Sequence, residues 1–228
     1  MKRFSPWLAL LLVASPLHAE EARLVLLHTT DLHGSLAARD LETGKPVSRG
    51  LEKLATIIRA VRAEGAPTLL VDAGDCTQGG PLATLYALGG WPLPDPMMTA
   101  MTRLGYDAMA VGNHEFDFGP DALARARRAA GFPWLAANVR FADGTAAFPA
   151  SVVKTVGSLK VGIVGVTTPA TPRWLSPDRT RGLVFGSPVE AARAEVERLR
   201  TSEHCDVVIV LAHTGLEKDP VTGVARSY

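Results

Sequence analysis

The sequence predicts an α/β fold in which helices cover a mostly parallel sheet. Short apolar runs alternate with segments of helical spacing along nearly the whole chain, which is the pattern of strands joined by crossover helices. The 228 residues are 47% hydrophobic and 21% charged, which is enough apolar material for one large domain or two small ones. In folds of this class, ligand sites collect at the carboxyl ends of the strands.

The first part of the chain contains four predicted strands. In order, we predict a buried strand over residues 24–28, a helix over 50–63, a strand over 68–72, short helices over 81–88 and 96–104, a strand over 107–111, a helix over 121–130 and a strand over 134–138. Leu51, Leu54 and Ile58 give the first helix one apolar face, and Gly65 and Pro67 follow its end.

The second part begins with a predicted hairpin. Its strands cover residues 151–155 and 160–166, and Gly157 and Ser158 supply the turn. A helix is then predicted over residues 189–199. The last strand, over residues 206–212, has the strongest pattern because it is an unbroken apolar run after Asp206.

The N-terminus has the pattern of a cleaved export signal. Lys2 and Arg3 precede an apolar run over residues 7–14 that is too short to span a bilayer, and Ala19 is a small residue at the cleavage position. A membrane anchor is the alternative interpretation. Removing Lys2 and Arg3 from the 24 basic residues leaves a net charge of −1 against 23 acidic residues, which argues against a polymer of nucleic acid as partner. We expect a signal peptide over residues 1–19, no stable membrane anchor, and a periplasmic or secreted protein.

Two cysteines occur, Cys76 and Cys205. Cys76 follows the carboxyl end of one predicted strand, and Cys205 precedes the start of another. In a parallel sheet these are opposite edges, so we expect no disulfide between them. For Cys205 a buried structural thiol is favoured over a reactive site.

Polar side chains with the chemistry of metal ligands follow four predicted strands. They are Asp31 and His33, Asp72 and Asp75, Asn113 and His114, and His213. Each pattern alone is weak, since a single histidine after a strand is more often a hydrogen-bonded loop residue than a ligand. Their joint occurrence at corresponding strand ends favours a site at one edge of the sheet.

A mixed set of aspartate, histidine and asparagine suits zinc, manganese or iron better than calcium. Two divalent cations about 3.5–4 Å apart can hold a phosphoryl group and acidify a water molecule. Cations held that close need a shared anion, and Asp75 is the candidate. Gly74 would let the backbone turn sharply beside it.

Four motifs carry a resemblance to a known family. They are residues 27–34 (LHTTDLHG), 72–75 (DAGD), 112–117 (GNHEFD) and 211–213 (LAH). In this order they resemble the calcineurin-like metallophosphoesterases, most of all the exported bacterial 5′-nucleotidases, UDP-sugar hydrolases and 2′,3′-cyclic-nucleotide phosphodiesterases. The resemblance covers nearly all of residues 23–228. It implies a layered α/β/β/α sandwich over residues 20–228 that hydrolyses phosphate esters, nucleotides above all.

The resemblance also implies a role for each motif residue. Two divalent metal ions are expected, one held by Asp31 and His33, the other by Asn113 and His213, with Asp75 bridging them. His114 would stabilise the phosphoryl transition state or protonate the leaving oxygen, and Asp117 would orient His114. Water or hydroxide on the metals would be the nucleophile. Glu115 has no assigned role.

The chain departs from the family pattern in one respect. Family members carry a later Gly-His-x-His element, which completes both metal sites, and a C-terminal domain that binds the nucleotide base. Neither occurs in these 228 residues. We therefore expect a fragment or truncated product that is C-terminally incomplete, binds its second metal poorly and hydrolyses phosphate esters slowly. Two alternatives remain open, an inactive or degenerate metal-binding domain and a relative that hydrolyses sulfur-bound thiosulfate.

Three further residues receive structural interpretations. Asp72 is expected to be a turn former at the strand end rather than an outer-shell residue of the site. Trp91 is expected to pack in a loop rather than to border the substrate cleft. The amide of Asn138 is expected to satisfy local backbone groups.

Overall fold

A computed structural model of the chain describes residues 21–41, 43–89, 94–215, 221, 222 and 224. The predicted signal peptide and Trp91 lie outside the described residues. In chain order the elements are β1 (Val25–Thr29), α1 (Leu51–Ala63), β2 (Thr68–Asp72), α2 (Pro81–Ala87), α3 (Pro96–Arg103), β3 (Ala108–Ala110), a 3₁₀ turn (His114–Phe116), α4 (Pro120–Ala129), β4 (Trp134–Leu135), β5 (Val139–Phe141), β6 (Ser151–Val156), β7 (Leu159–Thr167), α5 (Thr171–Trp174), β8 (Leu183–Phe185), α6 (Pro188–Thr201) and β9 (Val207–His213).

The first sheet contains four parallel strands in the order β1-β2-β3-β4. Strand β2 is an apolar run because Leu69, Leu70 and Val71 are buried on both faces of the sheet. The prediction of a buried first strand was wrong. Strand β1 lies at the edge of the sheet, and alternate residues, including Leu26 and His28, are exposed.

The second sheet has the order β6-β7-β9. The predicted hairpin is confirmed: β6 and β7 are antiparallel, and Gly157 lies in the turn with φ 62°. Strand β9 is parallel to β7, with Thr167 opposite His213. The last strand is therefore in a different sheet from β1, β2 and β3, which corrects the expectation of a single sheet edge.

The two sheets pack face to face, which confirms the layered α/β/β/α arrangement. The apolar cluster between them is Leu69, Val71, Ala108, Ala110 and Leu135 from the first sheet with Val161, Ile163 and Leu211 from the second. The outer face of the first sheet packs on α1, α3 and α4 in a larger cluster, and Leu199 of α6 is fully buried beside β7. Gly165 lies where the sheets are closest, since a Cβ there would overlap the carbonyl oxygen of Leu135.

The fourth predicted strand is shorter than expected and is followed by a separate ribbon. Only Trp134 and Leu135 pair with β3, whereas Val139–Phe141 pairs antiparallel with Leu183–Phe185. Asn138 lies at this branch point. Its Nδ2 donates to the carbonyl oxygens of Thr167 (2.8 Å) and Gly186 (3.0 Å), and its Oδ1 accepts from the Thr167 N–H (2.9 Å). The amide satisfies backbone groups as predicted, but the prediction that these groups are local was wrong, since they lie 29 and 48 residues away in the chain.

Both cysteines are free thiols. Cys76 is buried, whereas Cys205 is half-buried, which corrects the expectation of a buried thiol at Cys205. The longest helix in the described ranges, α6, has 14 residues, and none there has both the length and the apolar run needed to cross a bilayer.

Candidate metal centre

The predicted ligands converge where the carboxyl ends of the two sheets meet. Asp31, Asp75 and Asn113 follow strands β1, β2 and β3 of the first sheet, and His213 is the last residue of β9 in the second. Strand β3 contacts β9 directly, so packing of the sheets brings His213 to the other three. Ligand atoms of Asp31, Asp75 and His213 all lie within 4.8 Å of one another.

Asp75 is at the centre of this cluster. Its Oδ2 lies 3.2 Å from His213 Nε2, and its Oδ1 accepts a 2.9 Å hydrogen bond from the His114 backbone N–H. His213 Nε2 also lies 3.0 Å from the amide oxygen of Asn113. One imidazole nitrogen thus faces a carboxylate oxygen and an amide oxygen, all three being ligand atoms for a divalent cation.

The tautomer of His213 is fixed by its other ring nitrogen. Nδ1 lies 2.8 Å from the carbonyl oxygen of Ala73, which can only accept, so Nδ1 carries a proton and Nε2 is directed to the cluster. Burial alone would lower the pKa of His213, but the hydrogen bond and negative charge of Asp75 raise it to about 9. Conversely, burial would raise the pKa of Asp75, but His213 and the His114 N–H lower it.

His33 lies beside Asp31, outside the group formed by Asp31, Asp75 and His213. Its Nδ1 lies 3.2 Å from Gln78 Oε1, and its Nε2 lies 3.7 Å from Asp31 Oδ1. An acceptor on Nδ1 leaves Nε2 as the ligand atom, which is the usual arrangement of a metal-binding histidine. Sequence reasoning missed Gln78, since a glutamine in a turn has no distinctive pattern.

His114 and Asp117 form a close pair beside the cluster. His114 Nδ1 lies 2.7 Å from Asp117 Oδ2, because the 3₁₀ turn over residues 114–116 places positions i and i+3 on one side. The His114 ring packs edge-on against His33 with 5.3 Å between centroids. Burial would lower the pKa of His114, but the hydrogen bond from its ring to Asp117 and the charges of Asp75 and Asp117 raise it.

Three of the predicted ligands have an uncommon backbone conformation. Asp31, His33 and Asp75 have φ angles of 53°, 45° and 63°, in the left-handed region that costs energy for residues with a Cβ. Backbone hydrogen bonds between the two loops hold this geometry: Asp31 N–H donates to Gly74 O (2.9 Å) and His33 N–H to Asp75 O (2.8 Å). Strain maintained in this way is typical of binding and catalytic sites.

Gly74 confirms the predicted sharp turn, with φ 103°. A Cβ at Gly74 would lie 2.5 Å from the backbone nitrogen of Gly112, and a Cβ at Gly112 would overlap the Asp75 carboxylate. These two glycines therefore let the loops after β2 and β3 touch beneath the cluster.

Glu115 is a buried anchor that sequence reasoning missed. Its carboxylate accepts hydrogen bonds from four backbone N–H groups, those of Asp75 (2.8 Å), Cys76 (2.7 Å), Thr77 (3.2 Å) and Gly112 (2.8 Å). Burial and the charge of Asp75 raise the pKa of Glu115, and the N–H donors oppose this shift. The side chain ties the loop that carries Asp75 to the loop that carries Asn113. The sequence offered only a weak signal, an acidic residue beside an apolar Phe116 at a strand end.

Asp72 lies beneath the same loop. Its Oδ1 accepts from the Gly74 N–H at 2.7 Å, which confirms the turn-forming role, and also from Cys76 Sγ at 3.1 Å. Its Oδ2 accepts from Thr29 Oγ1 at 2.6 Å. Burial raises the pKa of Asp72 to about 7, and these hydrogen bonds only partly oppose the shift.

The donor set fits divalent cations. It combines exposed and buried carboxylate oxygens, an amide oxygen and imidazole nitrogens, which suits zinc, manganese or iron. Within the described residues, His28 and His204 do not belong to the cluster of Asp31, Asp75 and His213.

A cavity of about 840 Å³ opens from the cluster of predicted metal ligands, which we call the metal cluster. Its lining includes Asp31, Asn113 and His213 together with Arg173 and Trp174 of α5. Trp174 is 49% exposed. The cavity is much larger than a phosphate ion requires and therefore has room for an organic group.

Residues 24–227 match the family described as Calcineurin-like phosphoesterase. The chain is 34% identical over 242 residues to the trifunctional nucleotide phosphoesterase protein YfkN of Bacillus subtilis, covering 96% of this chain and 16% of that protein. It is 36% identical over 208 residues to the 5′-nucleotidase of Bos taurus, covering 86% of this chain and 34% of the bovine protein.

A solved structure shows the same architecture. A 5′-nucleotidase of Staphylococcus aureus, described as putative and solved with α-ketoglutarate, superposes with a TM-score of 0.78 at 28% identity, over 89% of this chain and 39% of that one. The chain thus spans 39% or less of the length of these three proteins.

Proposed function

The chain belongs to the calcineurin-like phosphoesterase family, and from that premise we propose that its metal cluster hydrolyses phosphate esters, most of all nucleotides. The observation that carries the proposal is the convergence of Asp75, Asn113 and His213 on one point, with the His114–Asp117 pair beside it. A carboxylate, an amide and an imidazole that follow or end separate strands thus offer ligand atoms to one point.

The proposed assignment divides the ligands between two cations. Asp31 and His33 would hold one cation and Asn113 and His213 the other, with Asp75 as the ligand that both would share. Bound divalent cations would supply an acidified water and would draw charge from the phosphoryl oxygens. Gln78 and the Ala73 carbonyl group keep the two histidine rings in the tautomers that ligation needs.

His114 is proposed as the proton donor or charge stabiliser. Asp117 holds Nδ1, so Nε2 is the ring atom left to donate to a phosphoryl or leaving-group oxygen. The carboxylates around the ring raise the pKa of His114, which increases the protonated fraction near neutral pH. The Asp117 carboxylate also fixes the orientation of the His114 ring, so the ring can donate its proton without rearrangement.

The wall of the cavity supports a substrate with a large organic part. Trp174 presents an exposed ring, and Arg173 adds a guanidinium group for a second anionic group of the substrate. An aromatic face beside a phosphate site suits a nucleotide better than a small sugar phosphate.

We also make proposals about where the protein is located and about which further domain accompanies this one. The basic start and short apolar run of residues 1–19 support export to the periplasm or beyond. We also propose that the intact protein includes a C-terminal nucleotidase domain, since the relatives extend well beyond the matched region.

Metal-dependent phosphate release tests the proposal. The purified protein is stripped of metal, loaded with Mn²⁺ or Zn²⁺, and assayed for phosphate release from AMP. Because slow turnover is expected, the decisive quantity is the ratio of the variant's rate of phosphate release to the wild-type rate. Asp75→Asn should reduce the rate by at least about 100-fold, whereas Asp143→Asn, which alters an exposed turn, should leave it unchanged.

Three outcomes would contradict the proposal. Release that needs no metal, or that survives Asp75→Asn, would place the reaction elsewhere. Metal binding without hydrolysis of any phosphate ester would support the degenerate metal-binding domain. Hydrolysis confined to sulfur-bound thiosulfate would support the thiosulfohydrolase alternative.

A further inference from the structure

A second cavity lies apart from the metal centre, between α4 and the β5–β8 ribbon. It has a volume of about 520 Å³, and we call it the arginine pocket. Leu123, Phe148 and Leu183 form its apolar part, and four guanidinium groups surround it, those of Arg127, Arg128, Arg179 and Arg181. The arginine pocket shares no lining residue with the cavity at the metal cluster, so its use goes beyond the proposed function.

Two of the four arginines are already engaged. Arg127 donates to the carbonyl oxygen of Ala147 at 3.0 Å and lies over the Phe148 ring, 5.0 Å from its centroid. Arg179 lies 3.6 Å from the carboxylate of Asp178, in an exposed pair that is weak. These contacts fix part of the rim without neutralising most of its charge.

The other two arginines are not directly paired, although Arg181 interacts electrostatically with the exposed carboxylate of Asp178. Within the described ranges, Arg128 and Arg181 form no salt bridge, and no acidic residue lines the arginine pocket. The whole chain carries a net charge of only +1, so four arginines around one cavity are a local concentration rather than a property of the surface. Like charges held together repel, and an anion bound between them would relieve that repulsion.

The apolar part indicates that the anion is not a bare inorganic ion. Phe148 is buried, and Phe141 at the entrance remains 47% exposed. A volume of about 520 Å³ is that of a small-molecule site. A protein partner would require a larger contiguous apolar surface, whereas Phe141 is the one large exposed hydrophobic side chain among the described lining residues.

We propose that the arginine pocket binds a small organic anion with an apolar body, such as an aromatic carboxylate. The apolar body packs against Leu123, Leu183 and Phe141, and the carboxylate pairs with Arg128 and Arg181. Guanidinium groups suit this task, because their planar donors match the two oxygens of a carboxylate.

Isothermal titration with three probes tests the proposal. Naphthalene-1-carboxylate has both required features, naphthalene-1-carboxamide lacks the charge, and inorganic phosphate lacks the apolar body. We expect the carboxylate to bind at least about tenfold more tightly than either of the others. Chelation of metal should not change its affinity, because the arginine pocket is separate from the metal cluster.

Variants localise the binding. Arg128→Ala combined with Arg181→Ala should weaken carboxylate binding at least about tenfold. Arg59→Ala combined with Arg103→Ala, two exposed helix arginines away from the cavity, should not. If the double variant fails to fold, the single variants Arg128→Gln and Arg181→Gln provide the same comparison.

Four results would overturn the inference. They are no detectable binding of the carboxylate, unchanged affinity in the Arg128 and Arg181 variants, equal affinity for the neutral carboxamide or for phosphate, and loss of binding on chelation. The last result would place the carboxylate at the metal cluster instead.

Discussion

Glu115→Gln is the substitution that tests the architecture of the site most sharply. The change is nearly isosteric and keeps one of the two side-chain oxygens. It replaces the other oxygen, which accepts backbone N–H groups, with an NH₂ group that can only donate. Two buried N–H donors would then face another donor in place of an acceptor.

The magnitude follows from the four hydrogen bonds at 2.7–3.2 Å. Each buried N–H group left without an acceptor costs about 1–3 kcal/mol, so two cost about 2–6 kcal/mol. Removing the Glu115 charge offsets part of this loss, since burial and the neighbouring charge of Asp75 disfavour the ionised carboxylate and raise the pKa of Glu115. We expect a net loss of about 2–4 kcal/mol in the free energy of unfolding, which lowers the melting temperature of a domain of this size by about 5–15 °C.

The assay is urea denaturation followed by circular dichroism, with Mn²⁺ affinity measured on the folded variant. Mn²⁺ affinity should fall as well, because Glu115 holds the Asp75 backbone in its left-handed conformation. Glu195→Gln is the control, since the half-buried Glu195 carboxylate accepts from the side chains of Ser151 and Arg198 rather than from backbone N–H groups. A loss below about 0.5 kcal/mol, or equal losses in the two variants, would show that Glu115 does not anchor the two loops.

Three further predictions concern neighbouring residues. His114→Ala should lower phosphate release by about 100-fold or more while the metal content stays the same; loss of metal would instead make His114 a ligand. Asp117→Asn should lower release by about 10–100-fold and lower the pKa of His114 in the pH–rate profile; an unchanged profile would exclude the orienting role. Burial raises the pKa of Asp72 in the folded state to about 7, so the protonated carboxyl group stabilises the fold. This contribution to the free energy of unfolding is complete below about pH 4 and is lost as the pH rises through 7, a change of about 4 kcal/mol in all. Urea denaturation from pH 4 to 8 should show this decline in the wild type relative to Asp72→Asn; parallel curves would contradict it.

Much of the fold could be predicted because the strands are apolar runs followed by polar turn residues. Residues 69–71 of this strand are Leu, Leu and Val with no polar side chain among them, a pattern typical of a strand covered on both faces. The position of Gly74 before Asp75 likewise predicted a sharp turn, and its φ of 103° agrees. Local patterns of this kind depend on a few neighbouring residues and can be recognised without the tertiary structure.

The partition of strands between two sheets could not be predicted. The period of an apolar run indicates a strand but does not indicate which neighbour it pairs with. His213 was therefore expected at the same sheet edge as Asp31, although it reaches Asp75 from the second sheet. The β5–β8 ribbon was missed because its strands have three residues each, and Arg140 interrupts one of them.

The role of Glu115 was hidden for a different reason. A carboxylate is normally exposed, and its burial here depends on N–H groups that come from the loop after β2, 38–40 residues earlier in the chain. Asp117 was easier to find, since its partner His114 is three residues away.

Asp75 is the residue on which the proposed divalent metal site depends most, as the ligand that both cations would share. Equilibrium dialysis against Mn²⁺, followed by elemental analysis, measures the metal bound per chain in the wild type and in Asp75→Asn. We expect about one or more Mn²⁺ per wild-type chain at micromolar Mn²⁺, and less than about a tenth of that amount in Asp75→Asn. Equal metal content in the two proteins would contradict this expectation.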